Sequence, residues 1–173
     1  MHRQRSISPV CILLLFMSAQ AGAQLRVIQP ETADSLIRQH PKPALFFVTA
    51  DWCPYCRLME QTTLKDQELI SCLNQYFYFI RADADEKRPI RFLGRHFSYQ
   101  PTGVGTGEHA FIRFLFGKRK TAYPALILLS PRGATLFQLN TVTGPGNLLR
   151  LLQPFQKPET AHDQGKHSST GPP

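Results

Sequence analysis

Two cysteines separated by two residues, Cys53-Pro54-Tyr55-Cys56, directly follow a strongly apolar segment that begins Ala44-Leu45-Phe46-Phe47-Val48. They open a stretch of helical period. This junction constrains the fold more than any other feature. A continuous apolar run with aromatic and β-branched members suits a strand buried on both faces. Such a strand needs cover on both sides, and helices provide it in layered α/β domains. A second run of the same kind is Ala125-Leu126-Ile127-Leu128-Leu129. With 173 residues, 42% of them hydrophobic, the chain can build one domain with a real core.

The remaining pattern fills in a layered order. Arg26-Val27-Ile28 is a short strand candidate, and Glu31 to Gln39 has helical spacing through Ala33, Leu36 and Ile37. Pro41 and Pro43 end that helix. A helix is expected from Cys56 to about Thr63, with Leu58 and Met59 packing inward. Another runs from Asp66 to Gln75 on Leu69, Ile70, Cys72 and Leu73. Tyr76 to Ile80 reads as a strand, and Asp83 to Arg91 as loop or irregular helix. Phe92 to Thr106 has no clear period, although Phe97 and Tyr99 suggest a short hairpin ending at Pro101. Glu108 to Phe116 is helical. The strand at 125–129 turns through Pro131-Arg132-Gly133 into an antiparallel partner at Thr135 to Leu139. Gly144 to Phe155 is an amphipathic helix on Leu148, Leu149, Leu151 and Leu152. This order predicts a three-layer α/β domain with parallel strand pairs and an antiparallel edge hairpin.

The chain ends carry different signals. Arg3 and Arg5, the apolar stretch from Val10 to Met17 and Ala21-Gly22-Ala23 have the layout of a secretory signal peptide, residues 1–23. The apolar stretch is shorter than the ~20 residues that span a bilayer. The domain is therefore expected at 24–156, periplasmic or secreted after cleavage near Ala23. Residues 157–173 lack large aliphatic side chains and are expected to be a disordered tail. Removal of the leader takes Cys11 with it and leaves Cys53, Cys56 and Cys72, one close pair and one odd thiol. The net charge of +8 suits a soluble exported protein. The densest basic stretch, Arg113 with Lys118, Arg119 and Lys120, reads as a solvated helix end. It is too short and too poor in aromatics to imply a nucleic-acid or membrane-surface role.

Cys53 and Cys56 are the candidate catalytic residues. At a helix start, unpaired N–H groups and the helix dipole favour a thiolate, the nucleophile of disulfide exchange. Cys53 is expected to be exposed and to attack, and Cys56, one turn inside, to resolve the mixed disulfide. Pro54 suits a first helical turn, where its missing N–H has no partner anyway. Arg57 adds positive charge. The alternatives are an inert disulfide or half of a zinc site. Zinc needs further ligands, for which only His96 and His109 are available. His109 otherwise reads as a surface or packing histidine, and Cys72 as a buried thiol on a helix stripe. Gly103-Val104-Gly105-Thr106-Gly107 lacks the Lys-Ser/Thr of a phosphate loop and reads as a flexible turn.

Ala50-Asp51-Trp52-Cys53-Pro54-Tyr55-Cys56 after an apolar strand resembles the active site of the thioredoxin superfamily. Tyr123-Pro124 before the second apolar run is similar to that family's cis-proline loop; an ordinary trans proline opening a strand is the alternative. Glu60 and Thr63-Leu64-x-Asp66 extend the likeness to the C-terminal periplasmic domain of transmembrane thiol:disulfide interchange reductases and related secreted proteins. The resemblance implies a thioredoxin fold, a mixed sheet flanked by helices, with an insertion at about 84–122 before the cis-proline strand. It implies that Trp52, Pro54, Tyr55, Tyr123 and Pro124 form the substrate surface, with Trp52 as a lid on the cysteine pair. The family's usual acid, six residues before the first cysteine, is replaced by Phe47. Glu60 is the expected substitute base for Cys56, or else a solvated residue paired with Arg57. The implied activity is reduction of disulfides in exported proteins, with electrons from a membrane partner and no cofactor, since no NADPH or flavin motif is present. A disulfide-forming oxidase and a non-enzymatic copper-binding thiol protein are the alternatives.

Overall fold

The structure is a computed structural model that describes residues 22–104 and 106–156. The expected leader falls outside this range except for Gly22 and Ala23, and the expected tail falls outside it entirely. Helix α1 (Pro30–Gln39) leads to β1 (Ala44–Thr49). After the cysteine turn come α2 (Pro54–Gln61), a 3-10 turn (Thr63–Lys65), α3 (Gln67–Tyr76) and β2 (Tyr78–Asp83). The insertion holds β3 (Ile90–Phe92), β4 (Arg95–Phe97), β5 (Tyr99–Gly103), β6 (Thr106–His109) and α4 (Ala110–Phe116). It is followed by β7 (Ala125–Leu129), β8 (Thr135–Leu139) and α5 (Pro145–Leu152), which ends in a 3-10 turn.

The main sheet has the order β2-β1-β7-β8. β1 pairs in parallel with β2 and antiparallel with β7, with Ala44 opposite Leu129 and Val48 opposite Ala125. Among the named strands the expected parallel pairing is thus confined to β1 and β2, with one further parallel bridge between Val27 and Phe79. The segment after α4 carries the chain back to the Thr49 end of β1 before β7 starts, so β7 runs in the opposite sense. Both apolar runs are buried throughout. Ala44, Phe46 and Val48 face one core with Ile127, Ile112 and Leu115, while Leu45 and Phe47 face the other with Met59, Leu69 and Leu148.

The insertion covers the first face. Phe111 lies 5.7 Å from Phe46 and 5.3 Å from Phe97, ring to ring, and Phe92 lies 5.3 Å from Phe46. Aromatic burial on this scale is a large apolar contribution with edge-to-face geometry. The insertion forms two hairpins rather than one. Pro101 does not end a hairpin but sits within β5, opposite Gly107. A Cβ on Gly107 would lie 2.4 Å from the Tyr99 ring, so this close approach requires glycine. The loop expected over 83–91 gives way to β3 at Ile90.

Other boundaries shift for local reasons. Val27 makes only an isolated bridge with Phe79, because Pro30 turns the chain into α1. Asp66 accepts the Leu69 N–H at 2.9 Å and caps α3, which extends to Tyr76 and delays β2 to Tyr78. His109 caps α4, which starts at Ala110 instead of Glu108. Met59 packs inward, whereas Leu58 is exposed; Leu151 of α5 is exposed as well.

Truncating Phe111 to Ala should cost about 3–5 kcal/mol in urea unfolding, the range for buried phenylalanine. Leu151→Ala, at an exposed position, should cost within about 0.5 kcal/mol. Equal costs would contradict the placement of the aromatic core.

Candidate active site

The turn after β1 closes through a hydrogen bond from Cys53 N–H to the Ala50 carbonyl, 3.0 Å. Cys53 then caps α2: its Sγ accepts the Cys56 N–H at 3.1 Å. Pro54 occupies the first helical turn as expected. The two sulfurs form a disulfide with S–S 2.06 Å and Cα–Cα 5.3 Å. Cys56 is 0% exposed, but so nearly is Cys53, at 2%. The expectation of an exposed Cys53 is corrected here. In the disulfide its side chain turns inward to Cys56 and to the helix start, joining Ala50 and Met59 in the apolar cluster. Exposure belongs instead to the flanking rings, Trp52 at 66% and Tyr55 at 61%.

The Tyr123-Pro124 peptide is cis, as the resemblance implies. Antiparallel pairing of β1 and β7 brings this loop beside the cysteine turn. The Trp52 ring meets the Tyr123 ring edge-on, with centroids 5.5 Å apart. Trp52 is thus an exposed ring packed edge-on against Tyr123.

Asp51 is clamped at both backbone groups. Its N–H donates to Asp85 Oδ2 at 3.1 Å, and its carbonyl accepts from Arg57 Nη1 at 2.6 Å. The Asp85 segment is itself held by Ala84 N–H to Thr49 carbonyl, 2.8 Å, and Asp85 N–H to Asp83 Oδ1, 2.9 Å. Asp85 was not singled out from the sequence. Its only signal there is Asp83-Ala84-Asp85 at the end of a strand, a pattern suited to side-chain-to-backbone turns.

Glu60 pairs with Arg81, not Arg57: Oε1 lies 3.1 Å from Nε. Arg81 also holds Asp83 at 2.9 Å. Burial pulls the Arg81 guanidinium down, but its bonds to Glu60 and Asp83 outweigh this and raise it. Arg81 stands in register with Phe47, the buried residue at the place of the family's usual acid.

Tyr123 is pushed up to about 12, first by burial and then by the negative charges of Glu108, Asp85 and Asp83. Burial likewise raises the Cys72 thiol, opposed by a hydrogen bond from Gln156 and reinforced by Glu68. His109 is fully buried. Its Nδ1 accepts the Phe111 N–H at 3.1 Å, so Nε2 carries the hydrogen toward the Arg88 carbonyl at 2.9 Å. It is a capping and packing residue. His96 is exposed on β4. Among the described residues no three His, Cys, Asp or Glu side chains converge on a metal position.

Residues 30–156 match the family model of the thioredoxin-like domain. The chain belongs to the thioredoxin-like family. Solved structures with this thioredoxin fold include the DsbH oxidoreductase, 16% identical, with TM-score 0.56 over 88% of this chain and 92% of that one. A thioredoxin from Thermus thermophilus is 20% identical, with TM-score 0.55 over 76% and 86%. The reduced DsbD C-terminal domain of Neisseria meningitidis is 17% identical, with TM-score 0.50 over 74% and 99%. No curated protein matches the chain. The thioredoxin-like fold and the Cys53–Cys56 disulfide together support thiol:disulfide oxidoreductase chemistry in general.

Two measurements test this geometry. The difference in alkaline absorbance titration between wild type and Tyr123→Phe should report a phenol ionising near 12. The folded value is raised, so Tyr123 contributes stability that is intact below pH about 10 and lost as pH rises toward 12. A difference titration centred near 10 would refute its burial. Asp85→Ala should lower stability by about 1 kcal/mol in urea, and Asp85→Asn, which keeps an acceptor, should recover most of it.

Proposed function

We propose that this protein is an exported thiol:disulfide reductase acting on disulfides of periplasmic proteins. The observation that carries the reading is the Cys53–Cys56 pair at the start of α2, beside the cis Tyr123-Pro124 loop. In the reduced enzyme the Cys53 thiolate attacks a substrate disulfide and releases one substrate thiolate. Cys56 then attacks Cys53 Sγ, releases the second thiol and closes the disulfide. Two electrons and two protons pass to the substrate. Reduction by a membrane dithiol partner restores the pair, and no bound cofactor is needed. Trp52, Pro54, Tyr55, Tyr123 and Pro124 provide the substrate surface.

The reductive direction is supported by the likeness of Ala50-Asp51-Trp52-Cys53, Glu60 and Thr63-Leu64-x-Asp66 to the C-terminal domain of thiol:disulfide interchange reductases. Cys56, fully buried, needs a proton carrier. Glu60 fills this role, with Oε1 on Arg81 and Oε2 without a hydrogen-bond partner among the described residues.

The test is the reduction potential of the couple against glutathione, together with turnover on insulin. The potential should lie nearer about −270 mV than the −120 mV or so of strong oxidants. A value at the oxidising end would reverse the direction. Cys53→Ser should abolish turnover, and limiting alkylation of the reduced protein should label Cys53 before Cys56 and Cys72. Glu60→Gln should slow turnover and shift its pH profile, with Cys53 alkylation changed much less. An unchanged profile would leave water as the proton carrier.

A further inference from the structure

Among the described strands β5 and β6 pair only with each other, so the insertion carries a two-stranded hairpin apart from the main sheet. Both of its legs are tied to segments that flank the cysteines. Glu108, on β6, accepts from the Thr121 hydroxyl at 3.5 Å, two residues before Tyr123, and pairs with Arg113 of α4 at 3.3 Å. On β5, the Tyr99 ring carries Lys87 at 5.6 Å, two residues beyond the Asp85 that holds the Asp51 N–H. The base of the hairpin is thus fixed beside the exchange site, on the cis-proline loop and on the Asp85 segment. From Ser98 to Gly107 it carries no charged residue, in a chain where 18% are charged. Gln100 to Val104, Thr106 and Gly107 are exposed, and the Val104 side chain is wholly so.

The ladder shows which edge is open. The Ala110 N–H donates to the Ser98 carbonyl at 3.0 Å. That bond marks Tyr99 and His109, which stand opposite each other, as a pair that exchanges no hydrogen bonds. Bonded and non-bonded pairs alternate, so Gln100 and Glu108 are the bonded pair, and Pro101 and Gly107 turn their main-chain groups outward. Pro101 has no N–H to offer there, which blunts the outer edge of β5. Gly107 presents both N–H and C=O on the outer edge of β6. No side chain can guard that position, because a Cβ on Gly107 would lie 2.6 Å from the Gln100 carbonyl. A hairpin of two strands is marginal by itself, and a third strand stabilises it.

We propose that the outer edge of β6 and the Val104 tip receive an extended stretch of the polypeptide that carries the substrate disulfide, as a third strand beside Gly107. The inference rests on the oxidoreductase reading above and names its substrate class, extended polypeptide rather than small disulfides. Main-chain pairing of this kind gives affinity without demanding one sequence. The tie of Glu108 to the Thr121–Tyr123 segment makes the bound chain continuous with the exchange site.

Two joint variants at exposed positions test it, Val104→Lys with Thr106→Lys and Val104→Asp with Thr106→Asp. Each should raise KM for insulin by about fivefold or more with kcat within about twofold, while turnover of glutathione disulfide stays within about twofold. Calorimetric titration with carbamidomethylated insulin B chain, which has no thiol to exchange, should show binding that both variants weaken by about fivefold or more. Unchanged KM and peptide affinity would overturn the proposal. So would opposite effects of the two variants, which would read charge rather than an edge, or equal losses on glutathione disulfide. A wild-type dimer in sedimentation that both variants dissolve would give the edge to a second copy and overturn it as well. The titration needs no turnover, so a protein that fails to reduce insulin refutes the redox reading and leaves the hairpin to be judged by binding alone.

Discussion

The antiparallel pairing of β1 with β7 is the contact on which the site depends. Its last pair, Val48 with Ala125, leaves Thr49 and the cysteine turn on one strand facing Tyr123 and Pro124 on the other. Both strands are apolar on both faces, so alternation cannot set their register. Side-chain size and the flanking turns set it instead. Phe46 fits among Phe92 and Phe111 on one side, while Phe47 packs toward α2 and Met59 on the other. A slip of one residue would exchange these environments and pull the Trp52–Tyr123 contact apart.

The insertion serves this arrangement at both ends. Its Phe cluster replaces water on one sheet face, and its first residues reach back to the cysteine turn through Asp85. Asp51 is then held from two sides, by a carboxylate from the insertion and by Arg57 from α2. The turn that presents Cys53 is thus braced by elements on both sides of it. Such bracing is what holds a reactive group in one geometry.

Much of this was legible in the sequence, and the failures have physical causes. The two apolar runs, the α/β class and the cysteine junction follow from patterns of five or more residues, long enough for burial to dominate. The cis peptide at Tyr123-Pro124 and the cysteine pair followed from the family resemblance. Strands β3 and β4 span only three residues each, too few for any period to emerge. The direction of β7 depends on the path of α4, a tertiary property. Asp85 acts through a backbone N–H, and any turn residue of the right type would have looked the same. The burial of Cys53 follows from the disulfide state, which spacing alone does not express.

Phe47 makes the proton question a structural one. An acid at that position would sit beneath the cysteines, buried, and would need a cation to offset desolvation. With Phe47 there, the neighbouring strand still offers Arg81 in register, and its charge needs a partner. Glu60 and Asp83 both supply one, at a depth where water still reaches: the side chains of Glu60 and Arg81 are 35% and 38% exposed. Glu60, four residues after Cys56 on α2, is therefore anchored on Arg81 at a partly exposed position. Phe47 packs with Cys56 in one apolar cluster and puts no titratable group there, so the acid that the resemblance expects beneath the pair is replaced by hydrocarbon.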